Sequence, residues 1–315
     1  MSPPDPATPS AAAPRRRPVV IAHLSDLHLG AHDPESMGSL VADVTSAGPD
    51  LTVVTGDLTM RARRGEFEAV LQVLNALPRP RLTILGNHDV PLDPVRRLTR
   101  PYDVYQRYLP GPLDPVVEAD GVRALGLQSM PRWRWKSGRV SRRQAGEIRR
   151  VLGSTPAGVI RLVAMHHPLS AGGLQTIAGR SGLVDALVAA RIDLVLAGHT
   201  HIPMATGMSL AANGHTHRVV EVVAGTAMST RLRGAPRSWN LIRIDASWIT
   251  AQERRETGSR WSDEPPVEFP RVGPGSSGAA GGIADGVGNH AGDGVEAVAG
   301  EVAGDVAGDT GRRRP

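Results

Sequence analysis

Apolar residues run along the chain in two alternating rhythms. Short β-branched runs at 19–25 (VVIAHLS), 51–55 (LTVVT), 81–86 (RLTILG), 122–128 (VRALGLQ), 159–165 (VIRLVAM) and 192–198 (IDLVLAG) are bounded by Gly, Asp or Asn. Such runs predict buried strands. Between them, 36–48, 65–77, 141–153 and 181–190 space Leu, Val and Ile at helical intervals. Strand–helix alternation predicts an α/β fold with helices packed outside the sheets. Beyond residue 202 the rhythm changes to runs such as HRVVEVVAG and WNLIRIDASWITAQE, which predict further antiparallel strands and no helix.

Composition narrows the chemistry. The 315 residues contain no cysteine, which excludes disulfides, thiolate metal sites, iron–sulfur clusters and Cys nucleophiles. Only 2 Phe, 3 Tyr and 5 Trp are present, so the core must rest on aliphatic residues. No apolar run approaches the roughly 18–20 residues that span a bilayer. The expectation is a soluble, cytoplasmic protein without a membrane span. The triple arginine at 15–17 is followed by an apolar stretch too short for an export signal.

The formal charge of +5 is unevenly spread. A Pro/Ala/Arg arm at 1–17 carries +2, and the Gly-rich acidic stretch 272–315 carries −3, which leaves +6 for the residues between. Both ends have the composition of disordered segments. The expected organisation is a disordered arm at 1–17, one catalytic-size domain at 18–265 and a disordered tail at 266–315.

The residues that follow the predicted strands carry the chemistry. They are Asp26 with His28, Asp57, Asn87, His166, and His199 with His201, at intervals of 31, 30, 79, 33 and 2 residues. A strand–helix repeat of about 30 residues brings successive strand ends to one sheet edge. Two aspartates, an asparagine and four histidines are therefore expected in one place. Hard oxygen and imidazole donors in that number exceed the needs of one ion and suit Mn, Fe, Zn or Co. Two such ions about 3.5–4 Å apart can activate a shared water and neutralise a phosphoryl group.

The blocks SDLHLG (25–30), GDLT (56–59), GNHD (86–89), MHHP (165–168) and GHTHIP (198–203) resemble, in order and spacing, those of the calcineurin-like metallophosphoesterase family. The short interval from GNHD to MHHP is most similar to the bacterial branch containing cyclic-nucleotide phosphodiesterases. The resemblance implies a four-layered α/β/β/α sandwich with two divalent metal ions. It implies that Asp26, His28 and His201 hold one ion, that Asn87, His166 and His199 hold the other, and that Asp57 bridges them. His88 would face the substrate phosphate, stabilising charge or protonating the leaving group, and Asp89 would orient the His88 ring. His166, two residues before Pro168, is chosen as ligand over His167.

The resemblance also implies hydrolysis of small phosphoesters, including nucleotides, by attack of a metal-bridging hydroxide. The alternatives are a non-catalytic scaffold, a nucleotide-sugar pyrophosphatase and a DNA nuclease. The intact ligand positions argue against the first. Modest positive charge and no appended nucleic-acid-binding domain argue against the last. The sequence leaves the oligomeric state open.

Other polar groups add less. His23 reads as a core or rim residue, and the second H-x-H at 215–217 as a turn into a strand. His32 follows the first ligand loop, and Arg61, close behind Asp57, is a candidate substrate contact. RWRWKSGR (132–139) offers a base-stacking surface, but the reading favoured is a solvated loop with two tryptophans packed onto the domain.

Overall fold

The structure is a computed structural model that describes residues 17–172, 176–258 and 260–271. Of the arm expected at 1–17, residues 1–16 lie outside the described residues, as do 272–315 of the tail expected at 266–315; Arg17 is described and pairs with Asp50 at 2.6 Å. The first four strands, β1 (Val19–Leu24), β2 (Leu51–Thr55), β3 (Arg81–Ile84) and β4 (Val116–Ala119), are separated by α1 (Pro34–Ser46), α2 (Arg64–Ala76) and the short helices α3 (Pro94–Thr99) and α4 (Asp103–Tyr108). Next come β5 (Val122–Leu127), α5 (Arg142–Leu152), β6 (Ile160–Met165), α6 (Arg180–Ala190) and β7 (Leu194–His201). The chain then runs through β8 (Met204–Ala212), β9 (His215–Gly225), β10 (Ser238–Ile244), β11 (Trp248–Thr257), β12 (Arg260–Asp263) and β13 (Val267–Pro270).

These strands form two mixed sheets. The first has the order β12-β11-β10-β1-β2-β3, with β13 also paired to β11, and the second has the order β4-β5-β6-β7-β9-β8. Strands β1, β2 and β3 run parallel, as do β5, β6, β7 and β9. Parallel strands need crossover connections, which α1, α2, α5 and α6 provide.

Three apolar clusters define four layers. Between the sheets, Ile21, Val53 and Ile84 meet Leu162, Leu196 and Val222. On the outer face of the first sheet, Leu24 and Val54 pack with Leu40 of α1 and Phe67 and Val70 of α2. On the outer face of the second, Val163 and Val195 pack with Ile148 of α5 and Leu187 of α6. Strands buried on both faces explain the continuous apolar runs in the sequence. The α/β/β/α sandwich is the expected architecture.

Two departures concern the less apolar segments. The six-residue helices α3 and α4 lie where the sequence pattern gave no helical signal. The boundary at 265 falls short, because Val267–Pro270 pair with Val267↔Ala251 through Pro270↔Trp248 on β11, and Phe269 joins the core between the sheets. No helix among the described residues is long and apolar enough to cross a membrane.

Candidate metal centre

The parallel strands end at one edge, and the predicted ligands occupy the turns there. Asp26 and His28 follow β1, Asp57 follows β2, Asn87 follows β3, His166 follows β6, and His199 with His201 end β7. Asp26, His28, Asp57, His199 and His201 have φ between +48° and +73°. They are five of the eight non-glycine residues with positive φ among the described residues. A left-handed backbone at a non-glycine residue costs of order 1–3 kcal/mol and persists where its surroundings enforce it. These turns are therefore strained at the very residues whose side chains converge.

Glycines let the turns close. A Cβ on Gly86 would lie 2.2 Å from Asp57 Oδ1, and one on Gly198 would lie 1.8 Å from Ser25 Oγ. At Gly56, with φ +90°, a Cβ would meet the Gly86 backbone nitrogen at 2.6 Å. The glycine that opens each of these blocks thus supplies backbone contact rather than chemistry.

The side chains fall into two groups that share Asp57. Asp26, His28, Asp57 and His201 offer ligand atoms within 4.8 Å of one another, and so do Asp57, His166 and His199. In the first group His201 Nε2 lies 3.1 Å from both Asp26 Oδ1 and His28 Nε2. In the second, Asn87 Oδ1 lies 3.2 Å from His166 Nε2 and 3.1 Å from His199 Nδ1, and His166 Nε2 is 3.4 Å from Asp57 Oδ1. The β7 register shifts between Ala197 and His201. A regular extended segment would aim both histidines the same way. With φ of +73° at His199 and +62° at His201, the pair instead divides between the two groups.

Ring orientation is set from behind. His166 Nδ1 donates to the Thr55 carbonyl at 2.7 Å, and His201 Nδ1 donates to the Arg231 carbonyl at 3.1 Å. Each leaves the Nε2 lone pair facing the cluster. The cluster is then acceptor against acceptor, with Asp26 Oδ1 and His28 Nδ1 buried and without hydrogen-bond partners. Burial by itself raises a carboxyl pKa, yet the imidazoles of His201 and His28 crowding it and the charge of His166 hold Asp26 well below its usual range. Asp57 is likewise lowered against its burial by His166 and His28. Burial opposes charging His166, but Asp57 and Asp26 outweigh it and raise that imidazole to about 9, so the pair of carboxylates draws a proton onto the same Nε2 whose lone pair a cation would otherwise take. Two buried carboxylates thus demand positive charge, which divalent cations among these donors would supply. The residues fit metal binding, in two donor groups that share Asp57.

His88 borders the first group, its ring centroid 4.8 Å from that of His28 and its backbone N–H donating to Asp57 Oδ1 at 2.9 Å. Its Nδ1 donates to the Met60 carbonyl at 2.8 Å. Burial lowers its pKa despite the attraction of Asp57, so the resting ring is neutral with its lone pair on Nε2.

Asp89 does not orient that ring. Its Oδ1 accepts from the Thr59 N–H and hydroxyl at 2.8 and 2.9 Å, and its Oδ2 from the Gly86 and Leu58 N–H groups at 2.8 and 3.1 Å. Asp89 is a buried clamp between the turns after β2 and β3. Burial and the charge of Asp57 raise its carboxyl to about 6, against the pull of those N–H donors.

His167 turns away from the cluster, with Nδ1 2.8 Å from Ser129 Oγ and Nε2 2.9 Å from the Lys136 carbonyl. Its ring backs onto His199 at 4.7 Å between centroids. Arg61 is exposed and stands outside the cluster, lining a neighbouring cleft. His32 Nδ1 accepts from the Gly30 N–H at 3.2 Å, and His217 Nε2 donates to the Ile192 carbonyl at 2.8 Å. His23 is a core residue, 3.1 Å from Thr55 Oγ1, and burial lowers its pKa to about 3.

Sequence reasoning missed two contributors. Arg231 carries the carbonyl that positions His201, and the only signal was its place in the run after a ligand strand. Glu221 is buried on β9 and accepts from the backbone N–H groups of Leu169 and Ser170, which fixes the turn after His166. An acid inside an apolar strand run was its signal.

Comparison with known proteins agrees with this geometry. A profile of the calcineurin-like phosphoesterase family matches residues 19–203. A cAMP/cGMP dual specificity phosphodiesterase of Mycobacterium tuberculosis (strain CDC 1551 / Oshkosh) is 30% identical over 216 residues, covering 60% of this chain and 64% of the relative. A glycerophosphodiester phosphodiesterase of Enterobacter lignolyticus (strain SCF1) is 37% identical over 82 residues, covering 22% of this chain and 30% of the relative. The chain thus spans less than two thirds of the length of both. A purple acid phosphatase from yellow lupin seeds superposes with a TM-score of 0.62 at 14% identity, covering 83% of this chain and 55% of that one, a likeness of fold.

Proposed function

Because this chain belongs to the calcineurin-like phosphoesterase family, we propose that it is a dinuclear metal-dependent hydrolase of phosphate esters. The observation that carries this reading is the pair of buried acceptor clusters sharing Asp57. Asp26, His28 and His201 would hold one ion, Asn87, His166 and His199 the other, and Asp57 both. Divalent ions held there would polarise the phosphoryl group and lower the pKa of the attacking water.

The remaining work falls to the protein's own residues. Thr55 and Arg231 hold the His166 and His201 tautomers through their carbonyls, so the rings need not reorient during reaction. His88 starts neutral. Its Nε2 takes a proton from the attacking water and returns it to the leaving oxygen, and while charged it faces the developing phosphoryl charge. Arg231, whose charge reaches His88, adds positive potential at the same rim. Such a site suits phosphodiesters, nucleotides among them. The activities named for the two relatives make cyclic nucleotides and glycerophosphodiesters the first physiological candidates.

The test is hydrolysis of bis(p-nitrophenyl) phosphate with Mn²⁺, before and after chelation, by the native chain and Asp57→Ala. Turnover should need metal and vanish in the variant. Metal-insensitive turnover, or none across a panel of mono- and diesters, would overturn the reading.

A further inference from the structure

The large apolar side chains exposed at the surface are unevenly placed. Of eleven among the described residues, Leu92, Val95, Leu98, Trp133 and Trp135 lie on or beside α3 and the loop after β5. Helix α3 is turned inside out. Its Val95 and Leu98 are 68% and 54% exposed, while its Arg97 is 2% exposed. A helix facing water shows the reverse pattern.

Arg97 explains how this face is held. Its guanidinium donates to the carbonyls of Pro91 at 3.2 Å, Arg132 at 3.1 Å and Arg134, and lies 4.4 Å over the Trp135 ring. Arg132 donates back to the Leu98 carbonyl at 3.0 Å. Helix and loop are thereby one unit that presents aliphatic and indole groups together. The tryptophans, expected to pack onto the domain, are instead 56% and 50% exposed, their ring contacts being with Arg139 and Arg97.

Beside this patch lies a cleft of about 360 Å³ lined by Arg61, Arg63, Arg64 and Arg96, with Leu92 among its other walls. The one acid in its lining, Asp93, is engaged as the cap of α3, accepting from the Arg96 N–H at 2.7 Å. None of the four guanidinium groups forms an ion pair with a carboxylate among the described residues. Both features border the metal centre, since Met60, next to Arg61, holds His88, and Lys136, next to Trp135, holds His167.

We propose that this face docks on an anionic lipid bilayer, with α3 and the tryptophan loop in the headgroup region and the arginine cleft on lipid phosphates. Indole and aliphatic groups ringed by arginine match an interface that is apolar within and anionic above. Long arginine side chains reach phosphates while their stems stay in the apolar layer. A second copy of the chain would set arginine rim against arginine rim, a like-charge contact. The docking does not depend on the hydrolytic reading.

The test is co-sedimentation of the full chain with vesicles of equal parts phosphatidylcholine and phosphatidylglycerol, against phosphatidylcholine alone. The mixed vesicles should bind the protein, and added salt should weaken them. The double variants Val95→Ser/Leu98→Ser and Trp133→Ser/Trp135→Ser should each weaken binding by about tenfold or more. Arg96→Glu, an exposed single change, should weaken it also and keeps the test standing if a double variant unfolds. Trp248→Ser, exposed at the opposite edge of the first sheet, should bind like the native chain. Failure of the native chain to sediment would overturn the proposal. So would undiminished binding by all three face variants, which would assign the attraction to other charged segments. A dimer that the Val95→Ser/Leu98→Ser change dissociates, with no vesicle binding, would make the face a self-interface and equally overturn it.

Discussion

Gly86→Ala isolates the geometric demand of the Asp57 carboxylate, common to both donor groups, without touching a donor atom. The new Cβ would stand 2.2 Å from Asp57 Oδ1 and 2.3 Å from the Asp57 nitrogen. Ordinary carbon–oxygen contact lies about 1 Å further out, and backbone cannot yield as a flexible side chain does. Asp57 is also fixed from the other side, where Oδ1 accepts from the His88 N–H at 2.9 Å. The turn after β2 must therefore shift by about 1 Å, at an overpacking cost of about 1–3 kcal/mol. For a domain of this size that is a fall in Tm of roughly 2–12 °C. A displacement of about 1 Å at a shared ligand should weaken metal binding or turnover by about 100-fold. The assay is a Mn²⁺ titration followed by calorimetry, with circular dichroism to establish folding. A folded variant that binds metal and hydrolyses bis(p-nitrophenyl) phosphate within about threefold of the native chain would refute the claim that this glycine sets the Asp57 position.

Three further outcomes are expected. Chelation should lower Tm and Mn²⁺ should restore it, each site filled at a hundredfold excess over Kd adding about 2.7 kcal/mol of stability, and a Tm indifferent to both would contradict the acceptor clusters. His88→Ala should cut turnover by about 100-fold or more while metal content, measured by mass spectrometry, stays at the native level, whereas His166→Ala should lose metal and His167→Ala should retain it. Glu221 is raised by burial, against the hydrogen bonds from Ser170 and Leu169. Its protonated form is the one the fold favours, so its contribution to stability is complete below the unfolded value of about 4.3 and is lost as pH rises to the raised folded value. Glu221→Gln should remove that slope from a plot of denaturation midpoint against pH, and an unchanged slope would exclude Glu221 as its source.

The convergence of the candidate donors was legible because metal chemistry restricts residue type and because each of them follows an apolar strand run. Asp57 and His166 are 109 residues apart, yet both could be placed at one edge from the strand–helix repeat alone. The role of Asp89 was not legible. Its neighbour in sequence is His88, but its carboxylate turns back onto the N–H groups exposed by the turns after β2 and β3. Adjacency along a chain does not say which way a turn aims a side chain. The same limit hid the inverted face of α3, since a window containing Val95, Arg97 and Leu98 does not reveal which of them is buried. The strand β13 carries one buried apolar residue, Phe269, too little periodicity to separate it from the tail.

The clusters take their members from both halves of the sandwich. Asp26, His28, Asp57 and Asn87 extend from the first sheet, and His166, His199 and His201 from the second. The halves also touch there directly, through the His166 ring on the Thr55 carbonyl and the His199 N–H on Asp26 Oδ2 at 3.0 Å. Neither sheet alone carries a full set of donors for either ion. On the proposed reading, metal capture would report on assembly: a nascent or partly unfolded chain with one sheet formed would hold no complete site and cleave no ester. Hydrolysis would then require the two halves to be joined, and a lost ion would loosen the seam at which they meet.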